Sequence, residues 1–231
     1  MFAGFQNTSA FILFGYVLAK AAKSLPDFSI ETDISRGTSI LVAGVDEVGR
    51  GTLAGPVVAG AAILPRRVPT EYVNLVDDSK KLSASQRQKA FDWLVTWCLS
   101  YGVGACTAQE IDAIGIVPAT RQAMTRAIAE LDPQPNHLII DAVVLDAVPI
   151  PQTSIVRADS RSQSAAAASI IAKVTRDKLM SEVIDSEYPG YGFASHKGYG
   201  TAFHINALRN LGPSPIHRRS FKPVKDLVDH P

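Results

Sequence analysis

Four acidic residues occupy positions from which they could bind metal ions. Asp46 and Glu47 lie at the end of a β-rich run and just before a glycine-rich segment. Asp141 closes an apolar run, and Asp159 comes just before the longest helical pattern in the chain. Hard divalent ions such as Mn²⁺ and Mg²⁺ take oxygen ligands, and carboxylates at strand ends hold them rigidly. Asp46 and Glu47 therefore favour a divalent-metal site that can orient phosphate oxygens, and the strand-end position of Asp141 makes it a further candidate ligand.

Asp46 and Glu47 pose a geometric condition. Adjacent residues of a regular strand face opposite sides of the sheet, so both can serve one ion only if the strand ends or bends between them. The glycines at 49, 51 and 55 favour such a break. The competing interpretation is an acidic hairpin tip. A phosphate-binding loop is disfavoured, because Arg50 and Gly51 stand where that motif has its lysine and hydroxyl residue.

Two other aspartates have simpler interpretations. Taken alone, Asp159 favours a helix N-cap and dipole partner over a metal ligand. Asp177 lies four residues after Lys173 on one helix face, a spacing typical of an ordinary ion pair.

Hydrophobic periodicity predicts the elements that carry these residues. We expect strands over 39–45, 57–64, 101–107, 137–141 and 154–157, and helices over 83–100, 108–114, 118–131, 162–185 and, as the last one, 201–211. Ser83 with Gln86 forms a capping-box pattern at the first of these helices. Small residues at 165–168 would let the longest helix pack closely on a sheet. The order of elements predicts an α/β domain with a mixed central sheet covered by helices.

Composition bounds the class of protein. The chain has 231 residues, of which 46% are hydrophobic and 19% charged, with only 2 cysteines. These values exclude disordered, collagen-like and disulfide-stapled proteins. Cys98 and Cys106 form no C-x-x-C pair, which favours a reducing cytoplasm.

The N-terminal region differs from the rest of the chain. We interpret residues 1–25 as an extension and residues 26–231 as one catalytic domain with a basic C-terminal segment. The apolar run 11–19 is too short to span a bilayer, and no lysine or arginine precedes it. We therefore expect no membrane association, with a secretory signal as the alternative.

The C-terminal segment carries most of the charge asymmetry. The whole chain has a formal net charge of +1, but residues 189–225 contain no Asp or Glu and six cationic residues, Lys197, Arg209, Arg218, Arg219, Lys222 and Lys225. Such a cluster can attract phosphates, so nucleic-acid binding would weaken as salt rises. A solvated surface without this purpose is the alternative.

Several ordered motifs resemble one family. The segment Gly44-Val45-Asp46-Glu47-Val48-Gly49-Arg50-Gly51 is similar to the opening signature of bacterial ribonuclease HII. Later blocks follow in the same order over about residues 26–224, namely Asp78-Ser79-Lys80-Lys81-Leu82, Ile139-Ile140-Asp141, Ala158-Asp159-Ser160, the run 167–174, His196-Lys197-Gly198-Tyr199-Gly200-Thr201 and Pro215-Ile216-His217-Arg218-Arg219-Ser220-Phe221.

The resemblance implies a ribonuclease H-like fold with a mixed central sheet flanked by helices and a helical C-terminal region. It also implies cleavage of RNA paired with DNA and at single ribonucleotides in duplex DNA, leaving 5′-phosphate and 3′-hydroxyl ends, with Mn²⁺ or Mg²⁺. The family's acidic positions fall on Asp46, Glu47, Asp141 and Asp159. Its ribonucleotide-reading element falls on Gly49, Arg50 and Gly51, and its junction-sensing tyrosine falls on Tyr199. We expect Lys80 to contact duplex phosphates and the protein to be a monomer; the sequence names no protein partner.

The chain departs from the family pattern at two positions. Thr52 replaces a common proline, which we expect to loosen the turn. Ala142 follows Asp141 where a glycine is usual, and this makes Asp146 a rival for the third acidic position. A non-catalytic nucleic-acid binder and an integrase-like or resolvase-like nuclease are the competing functions.

Overall fold

The computed structural model of the chain describes residues 25–69, 72 and 75–229. Its strands are β1 (Val42–Val48), β2 (Val57–Ile63), β3 (Ser100–Cys106), β4 (His137–Asp141) and β5 (Gln152–Ile155). Its helices are α1 (Ser29–Ser35), α2 (Ala84–Trp97), α3 (Ala108–Ile114), α4 (Ile116–Ala129), α5 (Gln163–Lys178), α6 (Asp185–Glu187), α7 (Phe193–His196), α8 (Ala202–Leu211) and α9 (Val224–Asp229). The interpretation of residues 1–24 as an extension lies outside the described residues.

The strands form one mixed sheet in the order β3-β2-β1-β4-β5. The antiparallel pairs join β1 to β2 and β2 to β3, whereas β4 runs parallel to both β1 and β5. Helix α4 covers one face and α5 covers the other. The predicted α/β class with a mixed, helix-covered sheet is confirmed, and the C-terminal region is helical as expected.

Close packing of α5 on the sheet depends on glycine. A Cβ at Gly44 of β1 would lie 2.0 Å from the carbonyl carbon of Ser164, and a Cβ at Gly60 of β2 would lie 2.4 Å from the carbonyl oxygen of Ala168. Both distances are far inside van der Waals contact. The small residues at 165–168 are buried against this surface, so the predicted close approach of the longest helix is confirmed.

Several boundaries differ from the sequence prediction; for example, β5 covers Gln152–Ile155 where 154–157 was expected, and α4 covers Ile116–Ala129 where 118–131 was expected. Helices α1, α6 and α7 were not predicted. Strand β1 continues through Asp46 and Glu47 to Val48. The long helix ends its regular part at Lys178 and passes into a π-helical turn, Leu179–Ile184. A further helix, α9, follows α8, which the sequence analysis took as the last. Among the described residues, no helix has the length and apolar character needed to cross a membrane.

Candidate active site

Three of the four predicted acidic residues meet on the α5 side of the sheet. Val45 of β1 pairs with Ile140 of parallel β4, so Asp46 and Asp141 follow side by side at the carboxyl ends of neighbouring strands. Strand alternation places both on the face covered by α5. Asp159 comes from the short 3₁₀ turn Ala158–Ser160 just before α5, whose N-cap is Ser162. The N-cap interpretation of Asp159 is therefore wrong.

Asp141 also holds the turn that carries Asp159. Its Oδ1 accepts hydrogen bonds from the backbone N–H groups of Arg157 at 2.7 Å and Ala158 at 3.3 Å. Arg157 has a φ of 58°, a left-handed conformation that costs energy for a residue with a side chain. The carboxylate thus stabilises an unfavourable turn that places the second aspartate.

Glu47 points differently from Asp46. Because β1 does not end between them, alternation directs Glu47 toward the opposite face, where its Oε1 accepts a hydrogen bond from Arg50 at 3.1 Å. The strand break that the sequence analysis required is absent, yet the two carboxylates lie close enough for the charge of Glu47 to raise the pKa of Asp46. Burial raises the pKa of Glu47, and the bond from Arg50 offsets part of that rise.

Electrostatic repulsion links all four carboxylates. Burial raises the pKa of Asp46 well above its ordinary value, and the charges of Glu47, Asp159 and Asp141 raise it further. Burial and the nearby charge of Asp78 also raise the pKa of Asp159. A site that favours protonated carboxylates when it holds only protein is one that a cation would stabilise.

Lys80 supplies a positive charge at this cluster. Its Nζ lies 3.5 Å from Oδ2 of Asp159. Burial alone would lower the pKa of Lys80, but the charges of Asp159 and Asp46 raise it. Lys80 therefore lies at the acidic cluster itself, and Asp78, which the sequence analysis quoted only within a motif, lies near it.

The donor set fits hard divalent ions. Glu47 Oε2 and Asp159 Oδ2 are buried and form no hydrogen bond with the described residues, although Asp159 Oδ2 lies 3.5 Å from the Lys80 ammonium. A buried carboxylate oxygen without a partner is costly and is suited to a cation. Within the described part of the chain, no three Asp, Glu, His or Cys side chains are grouped in metal-binding geometry. Three further oxygens are already engaged: Asp46 Oδ1, Glu47 Oε1 and Asp141 Oδ1 each accept a hydrogen bond from the protein.

The Gly49-Arg50-Gly51 loop leaves β1 beside these carboxylates and is held by Arg218. The fully buried guanidinium of Arg218 donates to the carbonyl oxygens of Gly49 at 2.7 Å, Arg50 at 2.8 Å and Gly55 at 2.9 Å and 3.0 Å. Burial, followed by repulsion from Arg176, lowers the pKa of Arg218 to about 9. All its hydrogen bonds to described residues go to backbone carbonyls, so its charge is solvated by this loop.

A second buried guanidinium, that of Arg176 on α5, closes the same loop. It donates to the carbonyl of Pro56 at 2.8 Å, to the hydroxyl of Thr52 at 3.0 Å and to the carbonyl of Lys197 at 2.9 Å. The Thr52 hydroxyl in turn donates to the carbonyl of Gly49 at 3.0 Å. The expectation that Thr52 loosens this turn is wrong, because its hydroxyl supplies a bond across the turn.

Tyr199 lies on a turn that is bonded to the same loop. The N–H of Leu53 donates to the carbonyl of Gly198 at 2.8 Å, next to the bond between Arg176 and Lys197. The Tyr199 side chain is 41% exposed, with the ammonium of Lys173 5.8 Å from its ring centroid. The structure thus connects the turn of Tyr199 to the loop that follows β1 through backbone and Arg176 hydrogen bonds.

Two sequence-based interpretations are corrected and one is confirmed. Asp146 is 82% exposed and pairs with Arg121 at 3.8 Å, so it is not a rival for Asp141. Arg218 was counted among cations available to phosphates, but it is buried under the loop it binds. Asp177 forms the predicted ion pair with Lys173 at 2.9 Å. The other cations of the C-terminal segment, including Arg209, Arg219, Lys222 and Lys225, remain accessible.

Ala142, which follows Asp141 where a glycine is usual in the family, adopts a left-handed backbone conformation. It has a φ of 51°, where a side chain costs about 1–2 kcal/mol. Glycine removes this cost, but it lowers the free energy of unfolding by about 0.4–1 kcal/mol because the unfolded chain becomes more flexible. We expect Ala142→Gly to raise the free energy of unfolding by about 0.5–1 kcal/mol in urea titrations. Ala147→Gly, at an exposed position outside the left-handed region, should lower it.

Three residues at this site were not expected from local sequence patterns. Arg176 follows an alanine-rich helical run, and Arg218 stands next to Arg219 in a basic segment, so each pattern favours exposure. Asp78 precedes Lys80 by two residues, which was the one local hint of an acid close to that lysine. The burial of both arginines depends on contacts with a loop more than 120 positions away in the chain.

The fold and site define a ribonuclease H of the second type. The chain superposes on ribonuclease H2 from Pyrococcus horikoshii with a TM-score of 0.69 and 27% identity, covering 82% of this chain and 98% of that one. A ribonuclease HIII structure with Mn²⁺ matches with a TM-score of 0.62 at 19% identity, over 83% of this chain and 70% of that one, which shows the shared fold.

The sequence comparisons give the family. The ribonuclease HII family model matches residues 43–224. A ribonuclease HII from Dehalococcoides mccartyi is 50% identical over 82% of this chain and 89% of its own length. One from Chloroflexus aggregans is 52% identical over 88% of this chain and 97% of its own length. The chain belongs to the ribonuclease HII family, whose members are divalent-metal-dependent endoribonucleases acting on RNA–DNA hybrids.

Proposed function

We propose that this chain hydrolyses the RNA strand of RNA–DNA hybrids and also cuts duplex DNA at a single embedded ribonucleotide, leaving 5′-phosphate and 3′-hydroxyl ends. The observation that carries this proposal is the glycine loop, which two buried guanidiniums hold at the end of β1, the strand that carries Asp46 next to Asp141 of β4. The loop supplies recognition of ribose, and the carboxylates supply the reaction site.

Asp46, Glu47, Asp141 and Asp159 would hold Mn²⁺ or Mg²⁺. When bound, such ions lower the pKa of water for attack on phosphorus and neutralise charge on the leaving 3′ oxygen. Glu47 Oε2, which has no hydrogen-bond partner among the described residues, is available for this role, and Asp159 Oδ2 would contact the ion in place of the Lys80 ammonium. Asp141 keeps the turn of Asp159 in place, and the Lys80 ammonium offsets charge near Asp159.

The loop offers two backbone donors toward solvent. The peptide bonds after Gly49 and Arg50 are trans, so each carbonyl points opposite to the N–H of the next residue. Since Arg218 binds both carbonyls from inside, the N–H groups of Arg50 and Gly51 point outward. A Cβ at Gly51 would have no described neighbour within 4 Å, so a sugar can approach closely.

These donors suit recognition of ribose. The 2′-hydroxyl is the group that separates RNA from DNA at one nucleotide, and it can accept a backbone N–H. We assign Arg50 and Gly51 N–H to the 2′-hydroxyl and adjacent phosphate, and the exposed Tyr199 ring to the following deoxyribose. The exposed cations of the C-terminal segment would contact duplex phosphates, which makes binding salt-dependent.

The test is cleavage of a 5′-labelled duplex that carries one ribonucleotide, with and without Mn²⁺ or Mg²⁺. We expect one cut at the ribonucleotide, dependent on the ion, and none in an all-DNA duplex of the same sequence. Binding without cleavage would instead indicate a nucleic-acid-binding protein. Cleavage of the all-DNA duplex would contradict the assigned role of the glycine loop.

A further inference from the structure

Three histidines cluster beneath the Tyr199 turn, outside the acidic site. We call His196, His204 and His217 the histidine cluster; all are buried and pack around the ring of Phe193. The rings of His196 and His204 stack with centroids 4.4 Å apart. Burial lowers the pKa of His204, and burial together with His204 lowers that of His217 to about 4. At neutral pH each of these two rings is therefore neutral and carries one N–H.

The partners determine which nitrogen carries each proton. The carbonyl of Tyr199 lies 2.9 Å from Nδ1 of His204 and can only accept, so this nitrogen must carry the proton. His204 Nε2 is then an acceptor, and His217 Nε2, 3.0 Å away, must donate to it. His217 Nδ1 is left as an acceptor, in agreement with the bonds it receives from the N–H of Ser214 at 3.0 Å and the Ser214 hydroxyl at 2.8 Å.

The result is a chain of hydrogen bonds with one direction, from Ser214 through His217 and His204 to the Tyr199 carbonyl. His196 lies beside it: its Nε2 donates to the carbonyl of Tyr191 at 2.8 Å, and its Nδ1 accepts from the N–H of Gly198 at 3.2 Å. Every ring nitrogen of the cluster thus has a partner of the correct kind.

This series of hydrogen bonds ends at Tyr199, whose side chain is exposed beside the glycine loop. The Tyr199 N–H donates to the carbonyl of His196 at 2.9 Å, and its carbonyl also accepts from Thr201 N–H at 2.8 Å. With the bond from His204, both backbone polar atoms of Tyr199 are fixed. The remaining freedom of this residue lies in its side-chain torsions.

We propose that His204, oriented by His217, is a positioning residue that sets the direction of the Tyr199 ring for recognition of the ribonucleotide–deoxyribonucleotide junction. This inference rests on the proposed function of Tyr199. The histidine cluster would thus contribute to substrate choice and would take no part in proton transfer at the reaction site.

The spectroscopic test measures ring tautomers directly. In ¹⁵N-labelled full-length protein, two-bond ring correlations distinguish the Nδ1–H from the Nε2–H form. We expect His204 in the Nδ1–H form and His196 and His217 in the Nε2–H form, with His217 remaining neutral down to about pH 5, since burial lowers its pKa to about 4. An Nε2–H tautomer at His204 would contradict the proposed series of hydrogen bonds.

The functional test uses two variants of one position. In His204→Asn the side-chain amide reaches the place of Nδ1 and can still donate to Tyr199, whereas in His204→Gln it reaches the place of Nε2 and faces His217. Cleavage is measured on the single-ribonucleotide duplex and on a long RNA–DNA hybrid. We expect His204→Gln to lose about tenfold on the first substrate relative to the second, and His204→Asn to stay within about threefold of the parent.

Two controls separate the explanations. Phe193→Leu loosens the same core without removing a bond of the chain, so it should change both substrates equally. Tyr199→Ala should lose selectivity for the single ribonucleotide; parental selectivity there would refute the proposed role of Tyr199 and, with it, this inference. Selectivity lost in Tyr199→Ala but kept in His204→Gln would refute the inference alone, as would equal losses in the Gln, Asn and Phe193→Leu variants.

Discussion

Asp46→Asn is expected to give a folded protein that melts at a higher temperature than the parent in the absence of divalent ions and cuts the RNA strand about a thousandfold more slowly. The loss of rate follows from removing a negative oxygen from the buried cluster that would hold the ions. Asparagine has nearly the same shape and keeps an oxygen that can accept from the N–H of Glu47, as Asp46 does at 2.8 Å.

The gain in stability follows from the sign of the pKa shift. Burial and three neighbouring carboxylates raise the folded-state pKa of Asp46 well above the ordinary value of an aspartate. The folded protein therefore binds this proton more tightly than the unfolded chain does. Its free energy of unfolding falls as the pH rises from about 4 toward the folded-state pKa, and at neutral pH the cost remains. The neutral amide removes that cost, and each 1 kcal/mol gained corresponds to about 2–4 °C in Tm.

The measurements are single-turnover cleavage and thermal unfolding, each with and without Mn²⁺. Adding Mn²⁺ should raise the Tm of the parent, since an ion that binds only the folded state stabilises it, and should raise that of Asp46→Asn less. The matched control is Asp177→Asn, which removes a carboxylate paired with Lys173 at 2.9 Å and should leave cleavage unchanged without raising Tm. Parental cleavage by Asp46→Asn would remove Asp46 from the reaction site.

Local patterns predicted the elements well, because their signals are short-range. Ser83 and Gln86 form the capping box at the start of α2, and the run 137–141 forms β4 with the bounds expected from its apolar residues. The resemblance to ribonuclease HII located Asp46 and Asp141, which the parallel pairing of β1 and β4 places side by side. These features depend on periodicity or on a recognisable motif, and both can be read without coordinates.

The long-range contacts could not be predicted in this way. Arg218 sits in a segment with six cations and no acid, a pattern typical of a solvated surface, yet its guanidinium is buried by carbonyls of the loop at 49–55. The Thr52 hydroxyl bonds to the Gly49 carbonyl and to Arg176, and the contact with Arg176 is not visible in the local sequence. Burial of a charge is set by what surrounds it in three dimensions, and neighbours in sequence do not report that.

Arg218→Lys is expected to lower kcat/KM for both substrates about a hundredfold. The guanidinium is a planar fork that binds the carbonyls of Gly49, Arg50 and Gly55 at once, whereas an ammonium is a point charge with three donors and cannot reproduce that geometry. Without the fork the two peptide groups can rotate, and the N–H groups of Arg50 and Gly51 lose their outward direction. Misplacement by about 1 Å at a distance from the reacting atoms is enough to cost about this factor.

The control for Arg218→Lys is Arg121→Lys, at an exposed arginine that pairs with Asp146 at 3.8 Å far from the loop, and it should cleave at the parental rate. Urea titration shows how much of the variant is folded at the assay temperature. If lost stability were the cause, cleavage would recover at a lower temperature. If the loop is misdirected, cleavage stays slow even when the protein is fully folded. Parental kcat/KM in Arg218→Lys would show that the loop keeps its form through Arg176 and Thr52 alone. The expected loss instead makes the buried charge a part of ribose recognition, since the hydrogen bonds of this guanidinium to described residues all go to the loop carbonyls that face it.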